Sequence, residues 1–237
     1  MKKILLISAT LMLTHAAFSQ GTVVFGNRGG TGTASAPGET IAPVYGLAAD
    51  NSRTSGNTAA GIPAGSTSYG TIPYLATDST HTFSATLYGL DAALANGSGY
   101  NNNLQPLLLN NGTAASATFR TSTSGTFAGI WNQPTAPAVV PGVTLDTQRA
   151  TFQVRVWDTR SGQITSWSQA LATPGEIYGY SDMFTVPFNL GGTSVPANHP
   201  PYLQGLQSFN VQVVPEPSVI ALGVLGAGCL FLLRRRK

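Results

Sequence analysis

The 237-residue sequence is 42% hydrophobic but only 9% charged, well under the usual quarter. That excludes the highly charged kind of disorder and suits an exported, β-rich protein kept soluble by Thr, Ser, Asn and Gln. The formal charge of +3 belongs to the ends: Gln20–Val214 holds six arginines against eight carboxylates, a formal −2, so no basic stripe remains to bind nucleic acid.

In chain order, the first predicted element is a secretory signal over residues 1–19. Lys2 and Lys3 supply a positive start, Ile4 to Leu13 an apolar core, and Ala17-Phe18-Ser19 the small residues that signal peptidase requires. Cleavage is expected between Ser19 and Gln20. The single cysteine, Cys229, lies far downstream in an apolar run. The exported body is therefore expected to have neither a disulfide framework nor a thiolate metal site.

Residues 20–80 read as a Gly/Thr/Ser-rich region of weak strands and long loops, in part disordered, with Thr22–Phe25 the best strand candidate. A better patterned body follows over 81–213. The clearest strand is Thr151–Trp157, with Phe152, Val154 and Val156 on one face and Gln153, Arg155 and Trp157 on the other. Asp158–Gly162 reads as a tight turn that returns the chain through Ile164–Trp167 as the partner strand. Thr82–Tyr88 and Ser208–Val213 alternate in the same way, and Ala115–Arg120, Val139–Leu145 and Asp182–Phe188 are shorter candidates. Leu90–Ala95 is the one stretch read as a helical turn. Short strands between Gly, Pro and Asn turns predict an antiparallel β-sandwich or jelly-roll-like body. No repeat supports a solenoid or a regular threonine ladder.

Few residue types that carry chemistry fall at useful spacings. His15 leaves with the signal, and neither His81 nor His199 has a second ligand nearby in sequence, so no zinc pattern forms. Gly179-Tyr180-Ser181-Asp182-Met183 breaks the hydrolase elbow at its last position. Asp158, Glu176 and Asp182 could pair across a fold as glycosidase carboxylates do, yet a turn role accounts for Asp158 and a Pro174-Gly175 turn for the position of Glu176. The expectation is a protein with no catalytic residues, no metal and no cofactor. Among binding ideas, sugar stacking is the strongest. Trp131, Trp157 and Trp167 are the candidate platforms, helped by Tyr178 and Tyr180, with core packing the competing role for each ring.

The last segment, 214–237, begins with Pro215-Glu216-Pro217. Two prolines deny it helix and central strand and leave an extended, exposed peptide. Val219 to Leu233 is uncharged and apolar on every side, so a helix there needs lipid or protein around it. At 1.5 Å per residue it reaches about 22 Å against a hydrocarbon core of about 30 Å, a gap that thinning and snorkelling cations close. Arg234, Arg235, Arg236 and Lys237 are expected on the cytoplasmic side, with the body outside.

Proline-glutamate-proline, apolar helix and arginine cluster, in that order, resemble the PEP-CTERM sorting signal over about the last 24 residues. The resemblance implies processing by an exosortase, a transient stay in the membrane, and association with extracellular polysaccharide. The same tail also closes some ice-binding proteins. Cys229 is no part of the motif. The whole reading is a mainly β body with an N-terminal signal helix and a single C-terminal transmembrane helix, working at the cell surface or in the extracellular matrix. A carbohydrate-binding module is the alternative, ahead of a glycosidase or an ice-binding protein.

Overall fold

A computed structural model describes residues 20–33, 37–94, 103–144, 146–191 and 199–216. The signal segment 1–19, Pro217 and the expected transmembrane helix and arginine cluster lie outside the described residues. Among the described residues no helix is long and apolar enough to cross a membrane.

The described chain is mainly β, with one short α-helix. Its centre is the strand β10 (Ala150–Asp158), hydrogen-bonded to β5 (Phe83–Asp91) in an antiparallel register that runs unbroken from Ala150↔Asp91 to Asp158↔Phe83. The main sheet runs in the order β4 (Val44–Leu47), β13 (Phe209–Val213), β11 (Ile177–Tyr180), β10, β5 and β6 (Gln105–Pro106). Two short strands sit off this path: β8 (Ser116–Thr118) on β5, and β12 (Phe184–Thr185) on β10. A second sheet joins β1 (Gln20–Val23), β9 (Ala138–Thr144) and β7 (Leu108–Leu109), and β2 (Arg28–Gly29) pairs with β3 (Thr40–Ile41). The pairing is antiparallel except for β4 beside β13, which is parallel, a departure from the purely antiparallel expectation.

The alternation read from the sequence orients β10 as expected. Phe152, Val154 and Val156 point into a core shared with Ala85 and Leu87 of β5 and with Val23, Leu109, Ala138 and Val140 of the smaller sheet. The opposite phase is not wet, however. Gln153, Arg155 and Trp157 are also buried, under a second apolar cluster built from Tyr88, Leu104, Ile164, Trp167 and Ala170. The reason lies just after the turn. Ile164–Trp167 is not a returning strand: Ser166 caps the helix α1 (Trp167–Ala172), its side chain accepting from the Gln169 amide. That helix lies over the outer face of β10. The antiparallel partners of β10 are β5, β11 and the short β12, and β11 lacks the alternation that marks the longer strands.

Burying Arg155 requires partners for its charge. The guanidinium carbon lies 3.9 Å from the Tyr88 ring centroid and 5.4 Å from that of Trp167, and Nε donates to Gln153 Oε1 at 3.0 Å. Gln153 in turn donates to the Ser181 carbonyl at 3.0 Å.

Residues 20–80 carry short strands and loops, and β1 and β4 join them to sheets shared with the later strands. Their order comes from buried amides that satisfy loop backbone. Asn27 donates to the Ala42 and Gly129 carbonyls and accepts from the Trp131 amide. Asn57 donates to the Pro63 carbonyl and accepts from the Ser208 amide at 2.7 Å. Gly129 has a φ of +70°, and a Cβ there would stand 2.4 Å from the Val44 carbonyl oxygen, so glycine is required where the 125–130 turn meets β4. Emptying the core tests this arrangement. Phe152→Ala is expected to cost about 3–5 kcal/mol in urea unfolding, whereas Leu108→Ala, at an exposed position, should stay within about 0.5 kcal/mol.

Candidate functional site

The turn after β10 divides two clefts. Arg160 and Ser161 take left-handed conformations and Gly162 follows at φ +94°. Asp158 Oδ1 stabilises the turn, accepting from the Arg160 amide at 2.9 Å and the Thr82 amide at 3.0 Å. Thr159 ties it to the start of β5, its amide and hydroxyl both donating to the Thr82 carbonyl.

On one side lies a cleft of about 450 Å³ lined by His81, Asp158, Arg160, Gln163 and Glu176. It brings together two of the carboxylates singled out in the sequence. Glu176 is 1% exposed and Asp158 3%. Glu176 Oε1 accepts from the Ile177 amide, and Arg160 Nε stands 2.7 Å from Oε2 as a charge contact without an aligned hydrogen bond. Burial holds the Glu176 carboxyl above the usual glutamate range, and the Asp158 charge adds to this, while the Ile177 amide and Arg160 pull the other way. The geometry is that of a clamp joining the turn, β5 and β11. His81 lies at the rim, 3.7 Å from Asp78 Oδ1, and its ring stacks on Phe83. Asp78 is held below the usual aspartate range by the His81 and Thr80 amides.

The third carboxylate, Asp182, does other work. It takes Arg53 Nη2 at 2.7 Å and the Ser55 hydroxyl at 2.5 Å, and Arg53 also lies over the Tyr180 ring, so the pair fastens the 53–55 loop to the end of β11. His199 is exposed, in the segment before Pro200.

On the other side of the turn is a cleft of about 360 Å³. Its floor is a set of hydroxyls on β5 and β8: Ser84 Oγ lies 2.7 Å from Ser116 Oγ, and Thr86 donates to Ser116 at 3.1 Å. The edges of Tyr88, Trp157 and Ile164 form the walls. Hydroxyls beside aromatic edges match the chemistry of a neutral sugar.

The three tryptophans expected as stacking platforms are interior. Trp131 is 1% exposed, packed between Phe25 and Phe119, with Nε1 donating to the Phe25 carbonyl. Trp157 and Trp167 meet edge to face under α1, and Trp157 Nε1 donates to the Ile164 carbonyl. A stacking ring must offer a face to solvent, and these faces are spent on packing. Tyr178 and Tyr180 lean on Trp167 and are half-buried. The exposed rings are elsewhere: Tyr74 lines a third cleft, of about 150 Å³, together with Arg28. Both fall in the Gly/Thr-rich region whose periodicity is weak.

The raised Glu176 carboxyl has a pH consequence. An acid whose folded pKa exceeds its unfolded value binds more protons in the native state, so stability falls as pH rises through that window. The window opens at the ordinary glutamate range and extends upward. Thermal melts across it should show Glu176→Gln removing part of the downward slope seen in the wild type; identical slopes would mean Glu176 is not buried as a carboxyl.

No protein-family model, characterised protein or solved structure matches this chain.

Proposed function

We propose that this is an exported, non-catalytic surface or matrix protein with a β-sandwich body, sorted by a PEP-CTERM-like segment that an exosortase processes. The observation that carries the reading is the order Pro215-Glu216-Pro217, fifteen uncharged apolar residues from Val219 to Leu233, then Arg234, Arg235 and Arg236. Two features of the described body support it. Pro215 and Glu216 are exposed directly after β13, where a processing enzyme could reach them. The carboxylates of the best-ordered part, Asp158, Glu176 and Asp182, are committed to holding loops on the sheet.

Mass spectrometry of the exported protein tests the sorting role. The mature form should start at Gln20 and lack the arginine cluster, and Glu216→Ala should leave the body retained with its tail. An intact 234–237 end on all mature molecules contradicts the proposal.

A second reading, a carbohydrate-binding module, is favoured by the hydroxyl-floored cleft beside Trp157. Filling that cleft with Ser116→Leu should weaken retention of the protein on neutral polysaccharide in affinity electrophoresis by about tenfold, a loss of the order of a hydrogen bond or two. Unchanged mobility would remove this cleft from consideration.

A further inference from the structure

Tyr45, Tyr69 and Tyr74 form a stack of three rings. Tyr45 is in the middle, its centroid 3.7 Å from Tyr69 at an interplanar angle of 5° and 4.8 Å from Tyr74 at 26°. Tyr45 and Tyr69 are buried, but Tyr74, which ends the stack, is 37% exposed. The arrangement is fixed in advance. The Tyr69 hydroxyl donates to the Gly56 carbonyl at 2.9 Å. The segment carrying Tyr74 is pinned along β4, with the Gly46 amide on the Pro73 carbonyl at 2.7 Å and the Leu75 amide on the Val44 carbonyl at 2.9 Å. A surface ring held in this way has little freedom left to lose when a ligand lands on it.

Tyr74 lines the cleft of about 150 Å³, below the range of sites that enclose a drug-sized ligand and so suited to one unit of a longer chain. Arg28, on β2, also lines it, with the hydroxyl-bearing Thr58 and Thr126 and the apolar Pro43 and Ile130. Arg28 is half-buried and has no carboxylate partner among the described residues. Four other body arginines are engaged, Arg53 on Asp182, Arg160 on Glu176, Arg155 between rings and Arg120 over Phe127, and of the remaining two, Arg28 and Arg149, it is Arg28 that lines this cleft. A guanidinium offers parallel N–H donors matched to a carboxylate, and an aromatic ring offers a face to the C–H surface of a pyranose. Phe127, 47% exposed with Arg120 over its ring, belongs to the turn that borders the cleft, so the surface can follow a chain longer than one residue.

We propose that the Arg28–Tyr74 cleft binds a uronic-acid residue of an acidic polysaccharide, with the sugar ring on Tyr74 and its carboxylate on Arg28. The proposal rests on the glycan-binding reading of the body and adds the class of sugar. A neutral sugar would leave Arg28 unused, and a free inorganic anion would leave Tyr74 unused.

Isothermal titration calorimetry of the exported protein with oligogalacturonate, a neutral dextran oligosaccharide, acetate and inorganic phosphate tests this. Oligogalacturonate should bind about tenfold or more tightly than any of the others, with an affinity that falls as salt is raised. Tyr74→Ala should lose about tenfold in affinity while Tyr74→Phe keeps it, since the ring face and not the hydroxyl makes the contact. Arg28→Gln should abolish the preference for the acidic glycan and its salt dependence, with an unchanged melting temperature. Equal binding of acidic and neutral glycans, or an Arg28→Gln variant that behaves as wild type, overturns the acidic site but leaves glycan binding standing. Phosphate binding as tight as oligogalacturonate reduces the cleft to an anion pocket and also overturns it. Binding of no glycan at all overturns both readings.

Discussion

Nine consecutive residues, Ala150 to Asp158, are buried on both faces of β10, and everything else in the body is arranged by what that burial demands. The apolar phase asks only for apolar cover, which the smaller sheet provides. The polar phase asks for more, because a buried amide or guanidinium left without partners costs more than its packing returns. Gln153, Arg155 and Trp157 therefore specify their surroundings closely. They need the Ser181 carbonyl, the Tyr88 and Trp167 rings and the Ile164 carbonyl respectively. These demands place α1, the turn before it and the end of β11, so the outer layer of the body follows from three side chains on one strand.

A second consequence concerns charge. With so few ionisable groups, most of those in the body are used as fasteners for loops. Asp158 and Glu176 close one turn against two strands, and Asp182 with Arg53 closes another loop. This economy explains how a chain so rich in Gly, Thr and Ser holds long loops in place. In the acid-lined cleft after β10 the same economy is visible, since Asp158 and Glu176 hold the turn to β5 and β11.

Much of the sheet was legible in the sequence, because Phe83–Tyr88, Phe152–Val156 and Phe209–Val213 alternate cleanly and lie where strands form. Of the strands of four residues or more, those that escaped, Val44–Leu47 and Ile177–Tyr180, are Tyr-Gly segments whose glycines interrupt the period; the other strands missed are two-residue pairings too short to show a period. The return strand expected at Ile164–Trp167 failed because the capping role of Ser166 outweighs a four-residue alternation. Burial of the outer face was not legible at all. Polar residues at alternate positions look wet until their partners are known, and those partners come from β5, α1 and the end of β11. The same limit hid the tyrosine stack, whose rings are distant in sequence and meet only once the Pro73–Leu75 segment is laid on β4.

β13 has a mechanical meaning as well. It is flanked on one side by β4 and on the other by β11, and its pairing continues past its end, where the Val214 amide bonds to the Glu176 carbonyl and the Gly175 amide to the Val214 carbonyl. The chain then passes directly into Pro215 and Glu216. Any pull delivered through that segment enters the body along β13. The antiparallel bonds to β11 lie across the strand direction and the parallel ones to β4 slant to it, so a load along the strand strains them together and not one after another. Residues 214–216 thus leave the body from a strand held along both edges, beside the same Glu176 segment that closes the turn after β10.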